Sequence, residues 1–440
     1  MLGVFGIIIS LALLMFFAYR GISVLILAPL MAMTAVILTG ADIGILEAYG
    51  TQFMPALASY LAKYFPVFLV GAIFGKIMGV SGAAQSIAHT ISEKIGKERA
   101  VLAVVTATGL LVYGGVSLFV VVFAIYPFGA ALYREAGIPK RFLPASIALG
   151  GFTFAMTALP GTPQYINTMP IPYFGTNTFS APVLGVILAA IEYGLGVYWI
   201  TSRAKKAMAK GEGYGNHENE NINSDLEKTP SFIASVSPIL IVFLINLVLT
   251  KSGILAGIWP VVVALAVSIV ISIFMFKPYL DDAKKTVNEG ALGALLPVLN
   301  TASEVGYGGV IKSLAAFAIL KAAVTSIPGP PLMSIAASTT ALAGMIGSAS
   351  GGTAIALEAL GDTFSQIIQT NGLNPHVVHR LMIIAAGGLD TLPHCGAVIT
   401  LLSVTGLTHK ESYGDIAFVT MAVPLVATAI GIVLATIGIA

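Results

Sequence analysis

The sequence predicts an all-α polytopic membrane protein with about 10 to 14 transmembrane helices, arranged as two inverted repeats with broken helices and re-entrant hairpins. Three observations lead to this fold class. Hydrophobic residues make up 57% of the 440 positions and charged residues only 10%, whereas soluble domains carry roughly 25% charged residues. Apolar runs recur along the whole chain, and segments rich in Gly and Pro interrupt several of them.

The apolar runs approach the length of a bilayer-spanning helix, roughly 20 residues. They lie at residues 2–19, 22–40, 65–80, 100–131, 180–201, 232–250, 254–276, 314–326, 332–347, 378–404 and 415–439. The first run has no basic residue before Arg20, and no small-residue cleavage site follows it. We therefore interpret it as the first transmembrane helix, not as a secretory signal peptide.

A hydrophilic segment at residues 203–230 has the charge and the Asn, Gly and Glu content of a solvated linker. It divides the chain into an N-terminal transmembrane repeat, residues 1–202, and a C-terminal one, residues 231–440. Residues 79–88 align without gaps to residues 306–315, and residues 147–153 align to residues 384–390. Chance similarity among Gly and Ala is the alternative. Paired repeats are typical of secondary transporters, whose binding site lies between the repeats near the membrane midplane.

The first predicted helix break spans residues 150–172 and contains four prolines. Proline removes a backbone donor and clashes with the preceding turn, so no continuous helix passes through this segment. We interpret it as a re-entrant hairpin whose tip, residues 160–167, offers Thr162, Gln164 and Asn167 to a ligand. An ordinary external loop is the alternative.

A second predicted break, residues 344–353, is rich in small residues. Here Ser348, Ser350 and Thr353 supply hydroxyl groups, while Gly351 and Gly352 allow a ligand to approach the backbone. A helix start at this break would suit a carboxylate, because its backbone N–H groups and dipole are positive. Packing of small residues between helices is the alternative.

A third break, residues 387–396, carries Asp390 and His394 in an otherwise apolar segment. Ionisable groups within a bilayer cost about 2.5 to 3.5 kcal/mol on insertion scales and usually have a function. We therefore predict proton coupling by Asp390 and His394, with Glu304 and Glu358 as further candidates. Charges reaching the membrane interface are the alternative for the two glutamates.

Other classes of function find little support in the sequence. The net charge of +2 gives no reason to expect nucleic acid as a partner. We see no metal-ligand spacing, no phosphate-binding loop and no catalytic triad, so we expect neither an enzyme nor a cofactor. Four histidines in polar segments, His89, His376, His379 and His409, are predicted to be exposed.

The order of these segments resembles the gluconate:proton symporter family (GntP) of the ion-transporter superfamily over nearly the whole chain. The matching elements are residues 80–85, 114–119 leading to Tyr126 and Pro127, 159–163, 347–354 and 387–394. The resemblance implies substrate contacts at Ser81 and Gly82, together with the residues of the first two breaks. It also implies proton-driven uptake of a small anion, a prokaryotic cell membrane and a homodimer.

Two departures from the family pattern bear on the substrate. After Val116 the chain reads Ser-Leu-Phe-Val-Val-Val-Phe where gluconate permeases commonly have Phe-Phe-Glu, and the segment with Asp390 and His394 differs in order. The resemblance then implies a less hydroxylated substrate, such as the hydroxy-monocarboxylate 3-hydroxybutyrate. A sodium-coupled carboxylate transporter and a passive anion channel are the alternatives.

Overall fold

The computed structural model describes residues 2–20, 22–116, 118–217, 229–393 and 395–440, which are α-helical with short 3₁₀ and π-helical turns and contain no strand. The helices of the first half are α1 Leu2–Tyr19, α2 Val24–Thr39, α3 Ile45–Ala48, α4 Met54–Val80, α5 Ala83–Ile95, α6 Ala100–Tyr113, α7 Leu118–Glu135, α8 Leu143–Phe152, α9 Ile171–Phe174 and α10 Pro182–Met208. Those of the second half are α11 Phe232–Ser252, α12 Trp259–Met275, α13 Ala283–Gly293, α14 Leu295–Ser313, α15 Phe317–Thr325, α16 Pro331–Ile346, α17 Ala349–Thr370, α18 Pro375–Ala386, α19 Gly396–Thr405, α20 His409–Ala417 and α21 Val423–Thr436.

The surface of the protein is apolar where it would face lipid. In the described part of the chain, four continuous helical segments are long and apolar enough to cross a membrane: Ile45–Val80, Pro182–Met208, Phe232–Ser252 and His409–Thr436. On α11, the exposed residues Leu240, Leu244 and Val248 recur one turn apart. A stripe of this kind needs an apolar surrounding. The predicted fold class, an all-α multi-pass membrane protein, is confirmed.

The two ends of α10 define the two ends of the molecule, because its 27 residues span about 40 Å. Beyond its C-terminus, Glu212 accepts a hydrogen bond of 2.6 Å from Arg141, which precedes α8. At its N-terminus, the Ser180 hydroxyl lies 3.0 Å from Nδ1 of His376, at the start of α18. We call these the linker end and the far end. Helix α8 thus starts at the linker end and α18 at the far end.

The two halves repeat the same order of elements in opposite directions. In each half a pair of adjacent helices, α6–α7 or α16–α17, precedes a helix that stops partway, α8 or α18. The α6–α7 pair is joined near the linker end by an ion pair of 3.0 Å between Lys97 and Glu135. Because α8 and α18 run in opposite directions, the halves have the inverted topology of secondary transporters.

The two sequence matches between the halves differ in quality. Thr153 and Asp390, the last residues of the second match, lie one residue beyond the end of α8 and four residues beyond the end of α18. The first match is out of register, because residue 79 is at the end of α4 and residue 306 is inside α14.

One prediction about an individual segment is wrong, and two further segments differ from the apolar pattern. The first break is not a hairpin, because the chain comes to it through α8, which begins at the linker end, and continues from it to α10, which begins at the far end. The long apolar run at residues 100–131 is interrupted and forms a helix pair that turns around at Gly114–Val116. Two helices, α14 and α17, were not predicted, because polar residues and Gly lower their hydropathy although most of their side chains are buried.

The predicted linker is partly helical. Helix α10 continues to Met208, and Arg203 donates a hydrogen bond of 2.9 Å to the buried carboxylate of Asp415 in α20. Residues 218–228 of this segment lie outside the described residues.

Candidate functional site

The first and second breaks meet through two hydroxyl groups. Residues 153–164 are not helical, and a 3₁₀ turn, Tyr165–Thr168, follows them. The hydroxyl of Tyr165 lies 3.4 Å from the hydroxyl of Ser350, which in turn lies 3.1 Å from that of Ser348. The unwound segment of the first half therefore reaches the turn of the α16–α17 pair in the second half.

The second break is shorter than the sequence predicts. Only Gly347 and Ser348 separate α16 from α17, and Gly347 has the positive φ of 70° that ends α16. Ser348 caps α17, because its hydroxyl accepts a hydrogen bond of 3.1 Å from the backbone N–H of Gly351. The predicted ligand-contacting residues, Ser350, Gly351, Gly352 and Thr353, form the first turn of α17. They lie at its positive dipole end, as a site for an anion requires.

Small residues bring neighbouring chains close to this turn. A Cβ atom added at Gly351 would overlap the carboxyl group of Glu304 in α14, and one at Gly352 would overlap the backbone of Ala343 in α16. The side chain of Glu304 is 5% exposed, and its Oε2 atom has no hydrogen-bond partner among the described residues. Glu304 therefore borders the α17 N-terminus and does not reach the membrane interface.

The third break packs against the same turn. The backbone N–H of Ala349 faces the carboxyl group of Asp390, which is 5% exposed and whose Oδ1 atom lacks a partner among the described residues. The next residue, Thr391, shares a hydroxyl–hydroxyl hydrogen bond of 2.6 Å with Thr420. Asp390 and Glu304 thus approach the start of α17 from different sides. His394 lies outside the described residues.

The first break makes an equivalent contact with the α6–α7 pair. The Gln164 side-chain amide donates a hydrogen bond of 2.7 Å to the backbone carbonyl of Val112, at the end of α6. Thr162 is fully buried, and its hydroxyl oxygen has no partner among the described residues. In each half, a helix-pair turn therefore packs against a helix break, and the contact between Tyr165 and Ser350 joins the halves.

A buried arginine that the sequence analysis missed holds the first break in place. The guanidinium of Arg380 in α18 is fully buried and donates hydrogen bonds to four acceptors. They are the backbone carbonyls of Thr157 at 2.8 Å, Thr178 at 3.1 Å and Ser180 at 3.1 Å, and the Oδ1 atom of Asn167 at 3.2 Å. Arg380 forms no ion pair among the described residues. Its charge is therefore balanced by carbonyl dipoles close to the predicted anion site.

The prediction that His379 is exposed is wrong. Its ring is fully buried between the hydroxyl of Thr176 at 2.7 Å and Oδ1 of Asn167 at 3.3 Å. His376, one turn earlier, is half-buried at the far end. His379 and Arg380, at consecutive positions of α18, therefore both contact Asn167. The apolar sequence that follows them, residues 381–386, could have indicated that both side chains are buried.

The structure does not bring every predicted residue to this site. Ser81 and Gly82 lie at the end of α4, where a Cβ atom on Gly82 would be 2.9 Å from the Thr229 side chain near the linker. Glu358 is half-buried on α17 and accepts a hydrogen bond of 3.4 Å from the Tyr173 hydroxyl. These residues are separate from the Ser350, Glu304 and Asp390 group. No group of metal-binding side chains forms in the described part of the chain.

A cavity of about 790 Å³ opens at the far end of the first break. Its walls include Tyr113, Leu159, Pro160, Lys251 and His376. The Tyr113 hydroxyl donates a hydrogen bond of 2.9 Å to the Pro160 carbonyl. The cavity thus leads from the far-end surface to the segment that Arg380 holds.

Inverted halves, broken helices and buried carboxyl groups at their meeting point define a transporter of the secondary type. The model of the GntP permease family matches residues 1–437, and the chain belongs to that family. It is 44% identical to the uncharacterized transporter YxjC of Bacillus subtilis, over 94% of this chain and 95% of that protein. It is 30% identical to a gluconate permease of Bacillus licheniformis, over 39% of this chain and 38% of that protein.

Two solved structures have a similar fold. The efflux pump MtrF of Neisseria gonorrhoeae aligns over 90% of this chain and 85% of its own, with a TM-score of 0.53 and 14% identity. The YdaH transporter of Alcanivorax borkumensis aligns over 88% of both chains, with a TM-score of 0.50 and 14% identity. At this identity the similarity concerns the fold alone.

Proposed function

We propose that this protein is a proton-coupled symporter of a small organic acid anion, either gluconate-like or a hydroxy- or keto-monocarboxylate such as 3-hydroxybutyrate. Its family and its relatives are permeases and transporters, which supports transport. The substrate and the coupling ion are part of the proposal. We further propose that it works as a homodimer in the cell membrane of a prokaryote.

The observation that carries the proposal is the start of α17 at the junction of the two halves. The hydroxyl groups of Ser348 and Ser350, the hydroxyl of Thr353 and the backbone of Gly351 and Gly352 would hold the carboxylate of the substrate. Thr162, Gln164 and Asn167 would contact the remainder of the substrate from the first break. Arg380 adds a positive charge near the site, so an anion is favoured over a neutral sugar.

Proton coupling follows from the carboxyl groups that border this turn. A substrate anion beside an ionised Asp390 or Glu304 would place two negative charges together in a medium of low dielectric constant. Protonation of the carboxyl group removes that repulsion, so the proton and the anion bind together. Asp390 and His394 remain the first candidates for this role, followed by Glu304 and Glu358.

The linker end is proposed to face the cytoplasm. Arg141, Arg203, Lys205, Lys206 and Lys210 gather there, and basic residues are enriched on the cytoplasmic side of membrane proteins. The cavity beside Tyr113 and Lys251 would then open to the outside and receive the incoming substrate.

Uptake into proteoliposomes tests the function. With a pH gradient of one unit, acidic outside, we expect labelled carboxylate to accumulate about tenfold for each proton that is carried with one anion, because one pH unit corresponds to a tenfold ratio of proton concentration. A comparison of gluconate with 3-hydroxybutyrate as the labelled substrate identifies which carboxylate the protein prefers. Accumulation that follows a sodium gradient and ignores pH would favour the sodium-coupled alternative. Equilibration without accumulation under either gradient would favour the passive channel.

Cysteine labelling tests the location of the site. We expect Ser350→Cys, made in a Cys395→Ala parent because Cys395 is the sole native cysteine, to react with a water-soluble maleimide when the site opens. The preferred carboxylate should slow this reaction. Thr363→Cys, a buried position further along α17, is the matched control and should stay unreactive. A labelling rate at Ser350→Cys that carboxylate does not change would place the substrate elsewhere.

A further inference from the structure

Glu192 is a buried carboxyl group that the site described above does not use. It lies within α10, in an apolar run, and is fully buried. Neither of its carboxyl oxygens has a hydrogen-bond partner among the described residues. An ionised carboxylate with neither oxygen paired is very costly in an apolar surrounding. A carboxyl group that carries a proton is tolerated there.

The depth of Glu192 matches a role in transport. It is ten residues from the start of α10 at Pro182, which corresponds to about 15 Å along the helix. That distance is half of the roughly 30 Å hydrocarbon core of a bilayer. Glu192 is therefore too deep to reach the membrane interface, and a carboxyl group at this depth usually has a function.

The elements around Glu192 supply few other titratable groups. Helix α10 packs mainly against α6, α8, α21 and the π-helical turn Phe418–Ala422. In these elements the only titratable side chain is that of Tyr113, the last residue of α6. Arg380 faces α10 at Gly185, which is seven residues, or about 10 Å, from Glu192.

Asp390 resembles Glu192, because it too is a buried carboxyl group with an oxygen that has no hydrogen-bond partner among the described residues. A direct link also joins the third break to the element beside α10, since Thr391 shares its hydrogen bond of 2.6 Å with Thr420 of the π-helical turn. Turns of this kind are frequent at functional sites. A change at Asp390 can therefore reach α10, which carries Glu192, through the packing of this turn.

We propose that Glu192 carries a coupling proton and acts together with Asp390. This inference rests on the proposed proton symport. When the substrate anion binds at α17, Asp390 and Glu192 would hold protons that are released together at the linker end. The only bonds that form and break in this step are O–H bonds of the two carboxyl groups, and the protons come from the water on one side of the membrane and leave to the water on the other.

Replacement of Glu192 in the full-length protein in proteoliposomes tests the proposal. For Glu192→Gln, we expect exchange of labelled against unlabelled carboxylate within about twofold of the parent, while accumulation driven by a pH gradient falls about tenfold or more. Asp390→Asn should show the same separation. Asp362→Asn, an exposed partner of Lys312, is the matched control and should behave like the parent.

A second variant allows the proposal to be tested even if Glu192→Gln does not fold. Glu192→Leu places an apolar side chain in an apolar site, which removes the cost of burying a polar group that has no hydrogen-bond partner. It should be as stable as the parent and as poorly coupled as Glu192→Gln. The proposal is overturned if either variant accumulates substrate like the parent, or if both variants fail to fold. A parent protein that shows no pH-driven uptake would instead refute the proposed function.

Discussion

Replacing Arg380 with methionine should have the largest effect of any single substitution considered for this protein. The change removes four donated hydrogen bonds and leaves the buried backbone carbonyls of Thr157 and Ser180 without their donor. The Thr178 carbonyl and the Asn167 amide oxygen each keep another partner. Each unpaired buried group costs about 1–3 kcal/mol. We expect Arg380→Met to lower the thermal stability of the protein in detergent markedly and to abolish carboxylate uptake. Thermal unfolding and proteoliposome uptake measure the two effects.

A pair of comparison variants separates charge from geometry at Arg380. Arg380→Lys keeps the positive charge but lacks the planar fork of donors. It should retain substrate binding at about tenfold lower affinity and lose less stability than Arg380→Met. Lys312→Met removes an exposed cation paired with Asp362, which contributes little, and should leave both readouts unchanged. Normal uptake by Arg380→Met would show that this arginine neither holds the first break nor favours anions.

Replacing Gly352 with alanine should have the second largest effect. An added Cβ atom would overlap the backbone nitrogen and Cα atoms of Ala343, and backbone cannot move aside as a flexible side chain can. Overpacking of this kind costs about 1–3 kcal/mol or more. Helices α16 and α17 would separate, and the turn that holds Ser348 and Ser350 would shift. We expect carboxylate uptake to fall at least about tenfold, because a shift of about 1 Å at a positioning group is enough for such a loss.

Gly194 provides the matched control for this substitution. It lies within α10, and a Cβ atom added there meets nothing within 4 Å. Alanine at a helical position of this kind is favoured by roughly 1 kcal/mol over glycine. Gly194→Ala should therefore be at least as stable as the parent and transport normally. Equal uptake by Gly352→Ala and Gly194→Ala would mean that the α16–α17 contact is not required.

The sequence predicts the features that depend on local composition. Hydropathy identifies the membrane class, and the hydrophilic segment separates the halves. Proline and glycine mark the three places where helices stop, because both residues oppose helix continuation for local reasons. The match of residues 147–153 to residues 384–390 falls on equivalent helix ends, since it coincides with the ends of α8 and α18.

Other features depend on contacts between distant segments and cannot be predicted from composition. The turn at Gly114–Val116 contains two glycines but no proline, and its flanks are apolar, so it resembles the closely packed middle of a continuous membrane helix. Glu192 is hidden in a long apolar run for the same reason. Arg380 follows two histidines near a polar turn, and its burial becomes visible only when the first break folds over it. Helix α14 contains Asn300 and Glu304, which lower its hydropathy below that of a lipid-facing helix.

The central claim is that a carboxylate bound at the start of α17 moves together with protons held by buried carboxyl groups. Proteoliposomes that contain a trapped pH-sensitive dye test it most directly, with no gradient imposed and the preferred carboxylate added outside. We predict immediate acidification of the interior by the parent protein, and none by Asp390→Asn, although that variant still exchanges substrate. Carboxylate influx without any acidification by the parent would contradict proton symport.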